Sequence, residues 1–323
     1  MNISIYLGSM CNCECEYCHR QYSNLEPTHV GDKLKKLLLD NKDNDLCVSF
    51  YGGEPTLYME HIKEIVELIP DARFIITTNG TTLDKYTEFF NQHKFKVVIS
   101  YDGERGVRGV DPFTSRINCN DVSVSSVLYH NHCSLKQLYA DINKKEQQCM
   151  HTLNSPPHIV HATRYDNVKY SLSIKEVYAL IHEEQEMIHN AIIDFRLYDV
   201  LNKHGLALVD KWFKYINHNY NNDETYCCNK DSIKVDLFGD VWDCLYMRVH
   251  HPTPPYSNSR CDHCNVRKYC GCACIYSVCK DIECVYYRRM ITWFLKEYEK
   301  YKEEIDEIIR ISKCNEFEST SWC

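Results

Sequence analysis

Apolar and polar positions alternate regularly through the first hundred residues. Ile3-Ser-Ile-Tyr-Leu7 alternates and is β-branched at Ile3 and Ile5, which predicts a strand. Leu34, Leu37 and Leu38 recur at helical spacing near Asp32–Asp40. Leu46-Cys-Val-Ser-Phe-Tyr51 predicts a second strand, closed by Gly52-Gly-Glu-Pro55. Ile62, Ile65, Val66 and Ile69 trace a helix that Pro70 stops. Arg73-Phe-Ile-Ile-Thr-Thr78 is a third strand ending at Asn79-Gly80. Leu83–Gln92 follows as a helix, and Lys96–Ser100 is a fourth strand ending at Asp102-Gly103. Strand and helix alternate, with glycine turns at the strand ends. That is the pattern of βα units around a parallel sheet or barrel.

The rhythm loosens beyond Gly103. Val122–Leu128 predicts a fifth strand, about Ser134–Asn143 a helix, and His158–His161 a sixth strand. Residues 144–156 are polar and carry Ser155-Pro-Pro157, so a loop is expected there. Ser173–Asn190 and Leu206–Asn219 read as helices, and Arg288–Ser312 as one long amphipathic helix. Eleven of the twenty cysteines fall between residues 227 and 314, so a domain boundary is expected near 222, in Asn221-Asn-Asp-Glu224. The expected division is 1–222 and 223–323.

At 323 residues the chain has room for two domains, or one large barrel with an appendage. Its 45 acidic and 37 basic residues give a formal charge of -8, which argues against a broad nucleic-acid-binding face. No apolar run approaches a membrane span, and Met1-Asn-Ile-Ser-Ile-Tyr-Leu lacks the basic start of a signal peptide. Twenty cysteines without an export signal, clustered at metal-like spacings, point to a reducing, cytoplasmic compartment with cysteines as cluster ligands.

The chemistry concentrates in Cys11-Asn-Cys-Glu-Cys15-Glu-Tyr-Cys18, which spells C-x3-C-x2-C from its outer cysteines. Thiolate ligation selects zinc or iron–sulfur. A zinc site would need a fourth ligand, and His19, adjacent to Cys18, is poorly placed to close a tetrahedron. The spacing, with aromatic Tyr17 before the last cysteine, resembles the signature of the radical S-adenosylmethionine (SAM) superfamily. Gly52-Gly-Glu-Pro55, Thr78-Asn79-Gly80 and Ser100-Tyr-Asp102-Gly103 resemble that family's later strand-end motifs. Taken singly each is an ordinary turn; in order, each ending a predicted strand, they are strong together. The resemblance implies a partial (β/α)6, TIM-like barrel. It implies that Cys11, Cys15 and Cys18 hold a [4Fe-4S] cluster with one iron open to SAM. Tyr17, Gly52, Gly53, Glu54, Pro55, Thr78, Asn79, Ser100 and Asp102 would line the SAM site. The backbone of the Gly-Gly-Glu-Pro turn and Glu54 would face the ammonium of SAM's methionyl part. Cys13 falls between the ligands.

The later cysteines resemble a second module, the SPASM extension, which carries auxiliary iron–sulfur clusters. Gly239-Asp-Val-Trp-Asp-Cys244 is G-x4-C, followed by Cys261-x2-Cys264-x5-Cys270-x3-Cys274, with Cys284 beyond. By resemblance Cys261, Cys264, Cys270 and a downstream cysteine, Cys284 rather than Cys279, hold the distal cluster. Cys227 or Cys228, with Cys244 and Cys274, holds the nearer one. The adjacent pair Cys227-Cys228 departs from the family spacing and leaves that cluster with an open iron or a smaller nuclearity. Leu245 follows Cys244 where sulfatase-maturing relatives carry an aspartate base, which argues against formylglycine formation. Cys47 is expected in the core, and the remaining cysteines have no assigned role.

The expectation is an α/β radical SAM/SPASM enzyme with a C-terminal helix, cleaving SAM and taking hydrogen from a peptide or protein substrate. A flavodoxin or ferredoxin would supply electrons. The chain starts at the first barrel strand, so a separate leader-binding protein is expected if a leader is needed. Two alternatives stand beside this reading. One is a radical isomerase acting on a small metabolite or an amino-acid-decorated nucleobase. The other is a zinc-binding interaction protein.

Overall fold

The computed structural model describes residues 1–18, 26–104, 106, 108–113, 117–149, 158–161, 168–200, 202–217, 232–242, 264–270 and 280–316. The six expected strands are β1 (Asn2–Tyr6), β2 (Cys47–Tyr51), β3 (Arg73–Thr78), β4 (Lys96–Ser100), β5 (Asp121–Leu128) and β6 (His158–His161). They pair in parallel with their sequence neighbours. Two further strands, β7 (Ser232–Asp236) and β8 (Val241–Trp242), complete the sheet in the order β6-β5-β4-β3-β2-β1-β7-β8. β7 lies parallel to β1, with Ser4 opposite Lys234, and β8 returns antiparallel on β7. The sequence reading missed this hairpin. The first strand of the cysteine-rich region is thus hydrogen-bonded into the barrel sheet. The expected boundary at 221–224 lies outside the described residues.

The period-2 rule sorts every strand into two faces. One face carries Ile3, Ile5, Val48, Phe50, Phe74, Ile76, Val97, Ile99, Val122 and Val124, all buried in one core with the helices. Those helices are α1 (Asp32–Asn41), α2 (Met59–Leu68), α3 (Thr87–Gln92) and α4 (Leu135–Cys149). The inner face is different. Cys47, Ile75 and Val98 form a small separate apolar cluster, confirming Cys47 as core. Around them Ser4, Ser49, Thr77, Ser100 and Ser125 are half-open. A closed barrel fills this space with branched apolar side chains; here hydroxyls line it.

Several helices run past their expected ends. α4 continues through Lys144–Cys149, so the loop expected from 144 begins later. α5 spans Ile174–Tyr198 and α6 spans Lys203–Asn217. Ser173 and Glu176 form a reciprocal capping box at the start of α5. The single C-terminal helix expected over Arg288–Ser312 is two, α7 (Lys280–Lys300) and α8 (Lys302–Glu316), meeting at buried Tyr301.

One buried carboxylate joins these C-terminal helices to the barrel. Glu184 on α5 is 1% exposed. It accepts hydrogen bonds from Lys211 and Trp212 of α6 at 2.9 Å each, and from Tyr286 of α7. Burial opposes its charge, but the Lys211 ammonium and the hydrogen bonds from Tyr286, Lys211 and Trp212 hold the carboxyl below its ordinary range. Among the described residues no helix is long and apolar enough to cross a membrane.

Candidate active site

The site grows from the loops at the C-terminal ends of β1–β4, where a parallel barrel places its ligands. The chain leaves β1 and is pinned at once to the turn after β2. Gly53 N donates to Gly8 O at 2.8 Å, and Glu54 N to Met10 O at 2.7 Å. Both glycines of the turn are demanded by this approach. A Cβ on Gly53 would lie 2.0 Å from Met10 O, and one on Gly52, at φ +151°, 2.7 Å from Gly8 O. Tyr58 braces the same segment: its hydroxyl accepts from Met10 N at 2.7 Å and donates to Glu26 at 2.9 Å. The cysteine loop is therefore launched from a fixed backbone.

Glu54 is 1% exposed and acts as a clamp. Its Oε1 accepts from Thr56 N, Thr56 Oγ1 and Thr78 Oγ1 at 3.0, 2.6 and 2.7 Å. Its Oε2 accepts from Asn79 N at 2.7 Å. The turn after β2 is thus locked to the turn after β3, and Oε2 keeps a lone pair for another donor. Pro55 follows at the first position of a short 3₁₀ turn that Glu54 caps. The Asn79 amide reaches the cysteine loop, donating to Asn12 Oδ1 at 2.8 Å and to Cys13 Sγ at 3.2 Å. Ser100, at the end of β4, is half-open.

Cys11, Cys15 and Cys18 are partly exposed, whereas Cys13 is 4% exposed. A backbone bond from Cys18 N to Cys15 O at 2.9 Å closes the turn that carries Tyr17. The thiols feel one another. Burial pushes Cys15 up, with Cys18 and Cys11 adding to it and the Arg108 guanidinium opposing. The Cys13 thiol is pushed up further, first by its hydrogen bond with Cys11 and then by burial. Among the described residues no three cysteine, histidine or carboxylate side chains are drawn into a closed metal-binding group. The donor chemistry nonetheless fits a cluster: three half-open thiols on an anchored loop, with the intervening thiol turned inward.

Asp102 sits at the end of β4, 2% exposed. Its Oδ1 accepts from Val127 N at 2.8 Å. Its Oδ2 pairs with Arg108 Nε at 2.8 Å and accepts the Tyr17 hydroxyl. The sequence reading did not single out Arg108, which lies in a loop without periodicity. Tyr17 packs against Tyr129 and Tyr170, with ring centroids 5.5 and 6.3 Å away, and the Arg108 guanidinium lies 5.5 Å above it. The structure thus brings Cys11, Cys15, Cys18, Tyr17, Gly52, Gly53, Glu54, Thr78, Asn79 and Asp102 to one end of the sheet.

Of the expected auxiliary ligands, Cys264, Cys270 and Cys284 are described and partly buried. Cys264 and Cys270 flank a 3₁₀ turn, Arg267–Tyr269, and pack against the main core beside buried Val266. Cys227, Cys228, Cys244, Cys261 and Cys274 lie outside the described residues, as do His19, Cys279 and Leu245.

Comparison with known proteins agrees with this geometry. The sequence model of the Radical SAM superfamily matches residues 5–103. An uncharacterized protein of Methanocaldococcus jannaschii is 33% identical over 112 residues, 32% of this chain and 38% of that protein. A cysteine-type anaerobic sulfatase-maturating enzyme of Clostridium novyi is 27% identical over 118 residues, 31% of this chain and 32% of its own. A probable GTP 3′,8-cyclase of Pyrococcus abyssi is 27% identical over 136 residues, 35% of this chain and 43% of its own. The chain therefore spans well under half the length of these relatives. In overall fold it is similar to native anSMEcpe solved with AdoMet and the Cp18Cys peptide. That likeness has a TM-score of 0.65 and 17% identity over 96% of this chain and 98% of the other. The match to the Radical SAM superfamily model covers residues 5–103, the stretch from β1 through the turn after β4 that carries the cysteine loop, Glu54, Asn79 and Asp102.

Proposed function

We propose that the protein is a radical SAM/SPASM enzyme whose substrate is a peptide or protein side chain or α-carbon. Cys11, Cys15 and Cys18 would hold a four-iron cluster. With SAM bound, that cluster supplies the electron that cleaves SAM to methionine and a 5′-deoxyadenosyl radical. The chain's own residues bind and orient. The turn at Gly52-Gly53-Glu54-Pro55 presents backbone and the free lone pair of Glu54 to SAM's ammonium. Thr78, Asn79, Ser100 and Asp102 rim the ribose and carboxylate side. The partly exposed hydroxyls of Ser4, Ser49, Thr77 and Ser125 on the inner face would border a substrate beneath the strand ends.

The observation that carries this reading is the interlock of two strand-end turns, after β2 and β3, with the cysteine loop, centred on Glu54 and Asn79. The peptide assignment rests on the fold shared with anSMEcpe, whose structure contains a peptide. Cys261, Cys264, Cys270 and Cys284, and Cys227 or Cys228 with Cys244 and Cys274, would hold one or two auxiliary clusters. A flavodoxin or ferredoxin is the proposed reductant, in a reducing cytoplasm, and a separate leader-binding protein would present a leader-bearing substrate.

The test is anaerobic reconstitution, reduction with dithionite in the presence of SAM, and measurement of 5′-deoxyadenosine. Wild-type protein is expected to cleave SAM, and the C11A/C15A/C18A protein to have no such activity. Equal turnover in both would end the proposal. A radical isomerase acting on a nucleobase is favoured instead if peptides leave 5′-deoxyadenosine formation unchanged and such a nucleobase stimulates it.

A further inference from the structure

We propose that Arg108 is a positioning residue: it locks Tyr17, and with it the cysteine loop, against Asp102, and sets a shielded positive charge beside the thiols. The electrostatic half of this inference rests on the cluster reading above; the positional half does not.

The geometry is a three-way joint. Asp102 is fixed by its own strand neighbourhood, through Val127 N on Oδ1 and through His132 Nε2, which meets its carbonyl oxygen. Its remaining oxygen takes two groups from elsewhere in the chain, the Tyr17 hydroxyl and Arg108 Nε. Tyr17 stands one residue before Cys18 and two after Cys15, so holding the phenol holds the turn between two ligands. The guanidinium covers the ring from above while Tyr129 and Tyr170 pack around it. A planar guanidinium can pair and stack at once, which an ammonium cannot do as well. Tyr170 also donates its hydroxyl to Glu16, inside the same loop. Two aromatic rings, Tyr129 and Tyr170, and one ion pair thus hold Tyr17 and a short loop that has no regular secondary structure of its own.

The Arg108 side chain is 15% exposed and its carboxylate partner 0%. A charge so shielded from water acts over several ångströms with little screening. Beside the thiols it favours whichever cluster oxidation state is more negative, so it raises the reduction potential. Deleting it also leaves Asp102 unpaired on the same side, and both changes push the potential down.

The experiment uses full-length protein with Arg108→Met, Arg108→Lys and Tyr17→Phe. In iron-free protein, amide hydrogen exchange of residues 11–18 should speed at least tenfold in Arg108→Met, with β1–β4 unchanged. Tyr17→Phe, which loses only the hydroxyl, should show the same change to a smaller degree. After anaerobic reconstitution, an EPR-monitored titration should place the Arg108→Met midpoint below wild type. Arg108→Lys, which keeps the charge, should stay near wild type in potential while its loop exchanges faster. Unchanged loop exchange in both Arg108→Met and Tyr17→Phe overturns the positioning role. Weakened SAM binding by calorimetry, with exchange and potential both unaltered, also overturns it and makes Arg108 a ligand contact. Wild-type protein that takes up no iron refutes the cluster reading and the electrostatic half with it, and the exchange data still decide the positional half.

Discussion

Replacing Glu54 with Gln keeps the shape of the clamp and removes its charge. Four protein donors converge on the two carboxylate oxygens, and two of them, Thr56 N on Oε1 and Asn79 N on Oε2, are backbone N–H groups that cannot become acceptors. If the amide oxygen takes the Oε1 position, the new NH₂ faces the Asn79 N–H, formerly 2.7 Å from Oε2. If the amide flips, the NH₂ faces the Thr56 N–H instead. Either way a charge-assisted bond of roughly 1.5–3 kcal/mol is lost and a buried donor is left unmet at roughly 1–3 kcal/mol. The expected loss of stability is about 3 kcal/mol, a large part of the roughly 5–15 kcal/mol typical of a folded domain. Urea unfolding of the iron-free protein measures it. If Glu54 faces the ammonium of SAM as proposed, SAM affinity should fall independently by about tenfold or more, at about 1.4 kcal/mol per decade. A Glu54→Gln protein within about 0.5 kcal/mol of wild type, the ordinary range for a surface change, would refute the clamp. Unchanged SAM affinity in a destabilised protein would leave the clamp standing and remove Glu54 from the SAM site.

Glu184→Leu should destabilise the fold by about 2–4 kcal/mol in denaturant titration, since it removes the acceptor shared by Trp212 Nε1 and the Tyr286 hydroxyl, each buried donor left unmet costing roughly 1–3 kcal/mol; a loss under about 1 kcal/mol contradicts the buried network. In wild type the same carboxyl, held below its ordinary range, contributes stability above the usual glutamate pKa and loses it as pH falls through the lowered value. His204 adds to the same loss on acidification. Burial pushes its pKa down to about 4 while Tyr139 stacks on it at 4.1 Å, so only the unfolded chain binds its proton between about 6.5 and 4. Stability should therefore drop by about 3 kcal/mol across that window, and His204→Phe should flatten the drop; an unflattened profile contradicts the assignment. Cys13→Ala should retain SAM cleavage, because this thiol is buried and turned to Asn79; its loss would mean a different ligand set.

The ends of β1–β4 were legible because each is marked twice, by its apolar β-branched or aromatic residues and by the glycine that follows at Gly8, Gly52, Gly80 or Gly103. The Gly52-Gly53 pair could be read as a turn from sequence. That its hydrogens are required by Met10 O and Gly8 O could not, since those atoms come from another strand. α4 was cut short because Lys144-Lys-Glu-Gln-Gln148 has no apolar stripe. Its final turns present a solvent face, with Lys145 drawn inward to Asp111 at 2.6 Å. β7 alternates as a strand should, Ser-Ile-Lys-Val-Asp, but is only five residues long and has just two apolar positions to mark it. The break at Tyr301 leaves no mark in the pattern, because Tyr301 N still bonds Glu297 O and Ile305 N still bonds Tyr301 O. Arg108 was invisible for a deeper reason. Its partners, Asp102 and Tyr17, are joined to it by folding, and no period along the chain links the three.

The most direct measurement is the metal content and Mössbauer spectrum of protein reconstituted anaerobically with iron and sulfide, beside the C11A/C15A/C18A variant. The wild type should be brown, with iron and sulfide in equal amounts and a four-iron signal that SAM perturbs. The variant should lose one four-iron cluster's worth of both and the SAM response with it. A colourless protein carrying zinc in place of iron, or a variant with undiminished iron and an intact response to SAM, would contradict the assignment of Cys11, Cys15 and Cys18.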